Sequence, residues 1–298
     1  MSAIISEKEV GQFKKDGYIY VKNFFNEQEV NTFLKGIEKK SLYIKNENID
    51  NTVDIEELWE FICHKKMLEL IKLLIGNKIH YLHTSNILSD SINLERQSST
   101  WHRDNPCRRT GYGPDWNNKE KYNVVSSIVY LTETDSTLNV IKKSHLKNYK
   151  YTISNILRTI DMRLRKFRSL NFLKKIIKEM IGKDLKYKSG DLIVFYTTLY
   201  HTRSIAKNGK NGSRNAFISR YGADNIHSKT YLNYEMNYRM GTEKYKISEK
   251  KDTFFQKLKD NDIYISPQTD KEEIDGIFLH SNKNVDNIHS DDYFSYKK

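Results

Sequence analysis

The spacing of apolar residues divides the chain into an N-terminal helical part, a series of short strands and a later helical segment. Apolar residues three and four positions apart predict helices at 6–15, from Asn26 onward, and from Met67 to a stop at Gly76, with Ser6 and Asn26 as N-caps. Runs rich in β-branched and aromatic residues predict strands at 18–21, 78–88, 124–131, 138–141, 191–196 and 215–221. Short strands after a helical layer favour a barrel or sandwich, mainly β, with flanking helices outside it.

One domain with a C-terminal extension is the predicted organisation. The 298 residues include 12% aromatics and only three prolines, and they contain no linker rich in Pro, Gly or Ser. We place the domain at 1–224, with an insert at 147–188 whose apolar residues have helical spacing. We expect 225–298 to form helical and irregular structure that packs on the same domain.

Most of the positive charge lies in the insert. The chain carries a net charge of +12, and 147–188 alone carries +10, from 13 Lys/Arg less 3 acidic residues. Such a segment predicts an anionic partner, either at a membrane surface or among lipid-linked molecules and nucleic acids. The alternative, which we favour for the apolar face, is that the insert packs this face on the barrel and leaves its charges in solvent.

Location follows from what the sequence lacks. No apolar run reaches the roughly 18–20 residues of a membrane span, and the first residues do not resemble a secretory signal. The two cysteines form no C-x-x-C pair, which fits a reducing compartment. We therefore expect a cytoplasmic protein, with peripheral membrane contact through 147–188 as a further expectation.

A possible metal site is the main chemical feature of the sequence. His102 and Asp104 are two positions apart, so on an extended segment both side chains project to the same face. His201, which follows the predicted strand at 191–196, is the best candidate for a third ligand. Two histidines and one carboxylate that leave coordination positions open are typical of non-haem Fe(II) oxygenases.

The open positions predict a keto-acid co-substrate. A 2-oxo acid can chelate the metal, O2 can take the remaining position, and the distal carboxylate of 2-oxoglutarate then needs a buried cation. Arg214, which opens the strand after His201, is the natural candidate for this cation. Arg220 lies on the same strand an even number of residues away, so spacing leaves it open as an alternative.

Five stretches, in order along the chain, resemble the phytanoyl-CoA dioxygenase family of Fe(II)/2-oxoglutarate oxygenases. They are DGYIYVKNFF at 16–25, STWHRDNP at 99–106, VSSIVYLTETDSTLNVIKKSHLKN at 125–148, SGDLIVFYTTLYHTRS at 189–204 and SRNAFISRYG at 213–222. The resemblance implies a double-stranded β-helix, that is, a jelly-roll or cupin-like barrel. It also implies Fe(II) held by His102, Asp104 and His201, and 2-oxoglutarate bound by Arg214, with Ser204 and Asn86 as weaker contacts. Because the carboxylate ligand is present, it implies hydroxylation or another oxidation rather than halogenation.

The substrate is constrained mainly by charge. Arg108, Arg109, Tyr112 and Trp116 follow the H-x-D pair and could form a lid over an anionic or sugar-bearing substrate; an ordinary solvated loop is equally compatible. We expect an anionic small molecule, or one linked to a lipid or carrier; nucleic acid ranks lower, because the family resemblance points elsewhere. The alternatives are a non-catalytic β-barrel that binds an anionic partner through its basic face and a zinc hydrolase, for which the chain has no H-E-x-x-H motif.

Overall fold

Two β-sheets face each other, and helices cover the outer face of the larger one. The computed structural model describes residues 4–43, 55–82, 86–91, 101–104, 121–133, 137–164, 167–204, 213–225, 227–228 and 250–264. The helices in these ranges are α1 (Glu7–Asp16), α2 (Glu27–Tyr43), α3 (Glu56–Ile62), α4 (Lys65–Ile75), α5 (Ile153–Leu164), α6 (Asn171–Ile181) and α7 (Lys251–Asp260).

The N-terminal helices begin where their capping residues predict. Ser6 and Glu9 form a reciprocal capping box at the start of α1, in which the backbone N–H of Ser6 donates to Glu9 at 2.7 Å. Asn26 and Glu29 form the same capping box at the start of α2. The backbone N–H of Glu29 donates to the side chain of Asn26 at 2.9 Å, and the backbone N–H of Asn26 donates to the side chain of Glu29 at 2.7 Å. The predicted caps and the stop of α4 at Gly76 are confirmed. The short helix α3 was not predicted.

In the described residues, ten strands form two sheets. They are β1 (Tyr18–Val21), β2 (Ile79–Tyr81), β3 (Asn86–Ser91), β4 (Val124–Tyr130), β5 (Thr137–Val140), β6 (Lys183–Leu185), β7 (Leu192–Tyr196), β8 (His201–Ser204), β9 (Ser213–Ala223) and β10 (Ile263–Tyr264). The larger sheet has the order β1-β7-β4-β9-β2-β10, with β3 also paired to β9, and the smaller has the order β6-β5-β8. Apart from the parallel β2–β10 pair, all pairings are antiparallel.

Alternation along the strands separates two hydrophobic cores. On β4 and β7, Val125, Val129 and Val194 pack against the helices, whereas Ile128 and Phe195 pack into the space between the sheets. Leu138 and Val140 of β5 and Leu185 of β6 close this inner core from the smaller sheet. The predicted mainly β fold with helices flanking a jelly-roll barrel is therefore confirmed.

The insert differs from its prediction in two ways. It begins with a 3-10 turn at Lys147–Tyr151 and continues as α5 and α6, but its last part forms the strand β6 and joins the smaller sheet. We expected the insert to pack its apolar face on the barrel, and this is wrong for most of that face. Ile177 and Tyr149 are buried, but Phe172 and Met180 are 76% and 68% exposed.

Part of the C-terminal extension contacts the domain. Phe254 of α7 is fully buried, and its ring packs against Trp59 and Tyr81 at centroid distances of 5.3 and 5.9 Å. β10 adds a parallel strand to β2. No helix of the described residues is long and apolar enough to cross a bilayer.

Candidate metal centre

Backbone hydrogen bonds bring two distant segments of the chain together. His102 and His201 pair as an isolated antiparallel bridge, in which each backbone N–H donates to the carbonyl of the other at 3.0 Å. Two residues further, the N–H of Asp104 donates to the carbonyl of Thr197 at 2.8 Å. The H-x-D segment thus lies alongside the turn between β7 and β8.

The side chains of His102, Asp104 and His201 converge on one point. Their candidate ligand atoms all lie within 4.8 Å of one another. Oδ1 of Asp104 is 3.7 Å from Nε2 of His102 and 3.5 Å from Nε2 of His201. No other group of three or more His, Cys, Asp or Glu with this spacing occurs in the described part of the chain. Two imidazoles and one carboxylate are a donor set that binds divalent first-row metals.

The second oxygen of Asp104 has different neighbours. Arg220 donates from Nη2 to Oδ2 at 3.0 Å, and the hydroxyl of Ser126 donates to the same oxygen at 3.4 Å. Arg220 lies on β9 and Ser126 on β4, and the two positions are Cα partners in the sheet. The sheet therefore fixes one oxygen of the carboxylate and leaves the other directed at the two imidazoles, an arrangement that orients metal-binding carboxylates.

A backbone contact also orients His201. Its Nδ1 lies 3.0 Å from the carbonyl oxygen of Leu199, and since a carbonyl can only accept, Nδ1 is the donor. In the neutral imidazole this leaves the lone pair on Nε2, the atom that faces Asp104. The ring is buried and packs on Phe195, with 4.7 Å between centroids.

Electrostatics keep Asp104 ionised. Burial on its own would raise the pKa of this carboxyl, but the charges of His201, Arg220 and His102 and the hydrogen bond from Arg220 outweigh burial and hold the pKa well below its usual range. The carboxylate form, which is the form that binds a metal, is thus the one this environment stabilises.

The opposite side of the same segment contacts the insert. Trp101 is fully buried and clusters with Ile141 and Tyr149. The guanidinium of Arg103 lies 4.2 Å from the ring centroid of Tyr200 and donates to the carbonyl of Ser144 at 2.9 Å.

Arg158 of α5, which belongs to the insert, packs on the same tyrosine ring. Its guanidinium lies 4.1 Å from the ring centroid of Tyr200, the residue directly before His201. The insert therefore packs directly against residues adjacent to both predicted histidine ligands.

Sequence reasoning located part of this arrangement. Arg220, considered only as an alternative to Arg214, is the arginine that contacts Asp104, and Ser126 was not predicted at all. A signal for Ser126 exists: it is two positions before Ile128, so it faces the space between the sheets. The remaining candidates are Arg214, Ser204 and Asn86, whose strands are described but whose side chains lie outside the described residues, and Arg108, Arg109, Tyr112 and Trp116, which lie entirely outside them.

No family model and no curated protein sequence matches the chain, but solved structures do. HygX from Streptomyces hygroscopicus, with nickel and 2-oxoglutarate bound, has a TM-score of 0.56 at 14% identity over 74% of this chain and 88% of that chain. The epimerase SnoN, in complex with Fe3+, alpha ketoglutarate and nogalamycin RO, has a TM-score of 0.54 at 12% identity over 73% and 83%. The non-heme alpha ketoglutarate dependent carbocyclase SnoK from nogalamycin biosynthesis has a TM-score of 0.52 at 15% identity over 74% and 84%. The chain therefore has the jelly-roll fold, with facing antiparallel sheets and flanking helices, that these three proteins share.

Proposed function

We propose that the chain is a dioxygenase that uses Fe(II) and 2-oxoglutarate, with His102, Asp104 and His201 as the protein ligands of the iron. The observation that carries the proposal is the different surroundings of the two oxygens of Asp104. One is fixed by Arg220 and Ser126, and the other faces both imidazoles. A purely structural ion pair would not require two histidines to share one oxygen of a largely buried carboxylate.

Once bound, the iron would supply the oxidation chemistry, in which O2 and 2-oxoglutarate are consumed and succinate, CO2 and an oxidised substrate are formed. The protein's part is to hold and orient the reactants and to exclude water. The buried ring of Phe195 and the inner core beside it provide an apolar wall next to His201. Such a wall strengthens the interactions of charged groups inside the site.

Arg214 is the proposed partner of the distal carboxylate of 2-oxoglutarate. Position 214 has the same parity along β9 as Ala216 and Ile218, which belong to the inner core between the sheets. A planar guanidinium at this position would bind the carboxylate with two parallel hydrogen bonds. Ser204 and Asn86, at the ends of β8 and β3, are proposed as weaker contacts of the co-substrate.

We propose hydroxylation of an anionic substrate as the reaction, with Arg108, Arg109, Tyr112 and Trp116 as substrate contacts. Small anionic metabolites, sugar-lipids and thioesters are the substrate classes to screen. The structural neighbours include an epimerase and a carbocyclase. Product analysis by mass spectrometry therefore has to distinguish the gain of one oxygen from an isomerised or a cyclised product.

The test combines metal content with 2-oxoglutarate turnover. We expect anaerobically reconstituted protein to bind one Fe(II) and to release succinate with an accepted substrate. Asp104→Ala should lose both properties, and Arg214→Ala should retain iron but need far more 2-oxoglutarate. Asp252→Ala, which removes an exposed carboxylate in the first turn of α7, is the matched control. Full iron binding by Asp104→Ala would refute the ligand assignment, and iron binding without turnover of any substrate would favour a non-catalytic barrel.

A further inference from the structure

The insert exposes far more large apolar side chains than the other described parts of the chain. Among the described residues, 11 large hydrophobic side chains are exposed, and ten of them lie between Leu146 and Met180. We call these ten residues the insert patch: Leu146, Tyr151, Ile153, Ile156, Ile160, Phe167, Leu170, Phe172, Leu173 and Met180. Contiguous exposed apolar surface is rare in a protein that has no use for it.

Six residues of the insert patch lie on the apolar faces of α5 and α6. On α6, Phe172, Leu173 and Met180 are exposed, whereas Ile177 is buried, so only part of the apolar face of this helix is covered. On α5, Ile153, Ile156 and Ile160 recur at spacings of three and four residues, which places them in one stripe. Most of the apolar face of each helix is therefore left uncovered by the described residues.

Exposed basic residues outnumber exposed acidic ones in the segment that carries the insert patch. Exposed basic residues of the same segment are Lys150, Arg163, Lys175, Lys183, Lys186 and Lys188. Of the three acidic residues in 147–188, Asp161 is buried, whereas Glu179 and Asp184 are exposed. The exposed residues described for this segment thus carry six positive and two negative charges, so the positive sign prevails at its surface.

The positive charge of the insert distinguishes between two kinds of partner for the insert patch. A second copy of the chain, packed through the same patch, would bring two segments of +10 together, and like charges at an interface oppose association. An anionic bilayer matches both the exposed apolar residues and the positive charge. Apolar side chains enter the boundary between headgroups and acyl chains, while lysines pair with phosphates. Long lysine side chains can reach the headgroups from beside an apolar stripe.

We propose that the insert patch, with the lysines around it, is a docking surface for an anionic phospholipid membrane. The protein binds the membrane peripherally, with α5 and α6 lying against the headgroups. This contact does not depend on iron or on turnover, so it can be tested separately from the proposed activity.

The test measures binding of the full chain to vesicles by co-sedimentation. We expect at least about tenfold tighter binding to phosphatidylcholine vesicles that contain phosphatidylserine than to phosphatidylcholine alone, and weaker binding as salt concentration rises. The double variant Phe172→Ala/Met180→Ala should weaken binding by about tenfold, because both side chains lose buried apolar area in the membrane. Leu73→Ala, the one exposed large hydrophobic of the described residues outside the insert patch, is the control and should bind like the wild type.

A charge variant tests whether the lysines contribute to membrane binding. Lys175→Glu should weaken binding to the anionic vesicles by about tenfold, whereas Lys8→Glu on α1, which is equally exposed, should have little effect. In Phe172→Trp, anionic vesicles should shift the fluorescence emission to shorter wavelength as the indole enters the membrane. Thermal denaturation of each variant verifies that the fold is retained.

Three results would overturn the proposal. They are equal binding to neutral and anionic vesicles, wild-type binding by Phe172→Ala/Met180→Ala, and absence of vesicle binding together with a dimer that this double variant dissociates. The last result would show that a second copy of the chain occupies the insert patch instead.

Discussion

Replacing Arg220 by methionine tests whether the sheet holds Asp104 as the structure indicates. Arg220 is buried, and it donates to Oδ2 of Asp104 at 3.0 Å. Methionine keeps much of the apolar length of arginine and removes its charge. In the metal-free protein, the variant leaves the buried carboxylate without its nearest cation. The remaining neighbours are His102, His201 and Ser126.

The expected cost follows from the burial of the pair. Breaking a buried ion pair by removing one partner costs about 3–5 kcal/mol, and we expect the lower end because three polar neighbours remain. A loss of about 3 kcal/mol lowers the melting temperature of a domain of this size by roughly 6–12 °C. Arg163→Met on α5 removes an exposed arginine and should change stability by less than about 0.5 kcal/mol.

The pH dependence provides a second signature of the same contact. The neighbours of Asp104 hold its pKa below the usual range, so its contribution to stability is present above pH ~4 and is lost as the pH falls below it. Without Arg220 the folded-state pKa rises towards its usual value. The difference in stability between the wild type and Arg220→Met should therefore shrink as the pH falls below ~4.

Urea denaturation in the presence of a chelator measures both effects. A double-mutant cycle with Asp104→Asn isolates the pairwise interaction, and we expect a coupling of at least about 1.5 kcal/mol. The reasoning fails if Arg220→Met is as stable as the wild type. It also fails if the variant costs the same free energy with and without the charge on Asp104, because Arg220 would then act through packing alone.

Three further predictions concern contacts away from the metal centre. Asp191→Ala should lower the free energy of unfolding by about 3 kcal/mol in urea denaturation, because it leaves the backbone N–H groups of Asn23 and Lys188, which donate at 2.8 and 2.7 Å, without their acceptor. Burial raises the pKa of the Cys63 thiol to about 12, so peptide mapping should find it unmodified by maleimide at neutral pH until urea unfolds the protein. Ser6→Ala should cost about 1 kcal/mol in the same denaturation assay, because α1 loses its N-cap.

The sequence predicted those helices and strands whose residue types favour the same structure that the folded protein buries. β7 is a continuous apolar run, and β4 is apolar except at Ser126 and Ser127, because both faces of these strands are covered, one by helices and one by the smaller sheet. β6 and β8 escaped prediction because the sequences KDL and HTRS contain few apolar residues. Backbone pairing with β5 makes them strands. α3 escaped because seven residues are too few for a helical period to stand out.

The metal centre, too, could be predicted from the sequence only in part. The pair His102 and Asp104 can be predicted from a spacing of two, since alternation is a local property of extended backbone. Which of Arg214 and Arg220 contacts Asp104 cannot be predicted in this way, because both have the same parity along β9. Depth decides it: position 220 is the Cα partner of Ser126 in the middle of the sheet, whereas position 214 pairs with Asp90 near the end of β3. Only the register of three strands provides that information.

Alternation of side chains also explains how the short segment 101–104 contacts both the metal centre and the insert. His102 and Asp104 face the centre, so Trp101 and Arg103 must face the other way, where the insert lies. Tyr200 stacks on Arg103 and on Arg158 of the insert, directly before His201. The contacts of Tyr200 and Trp101 therefore join the insert to the backbone that carries both histidines. A basic insert that only increased solubility would need no such contacts.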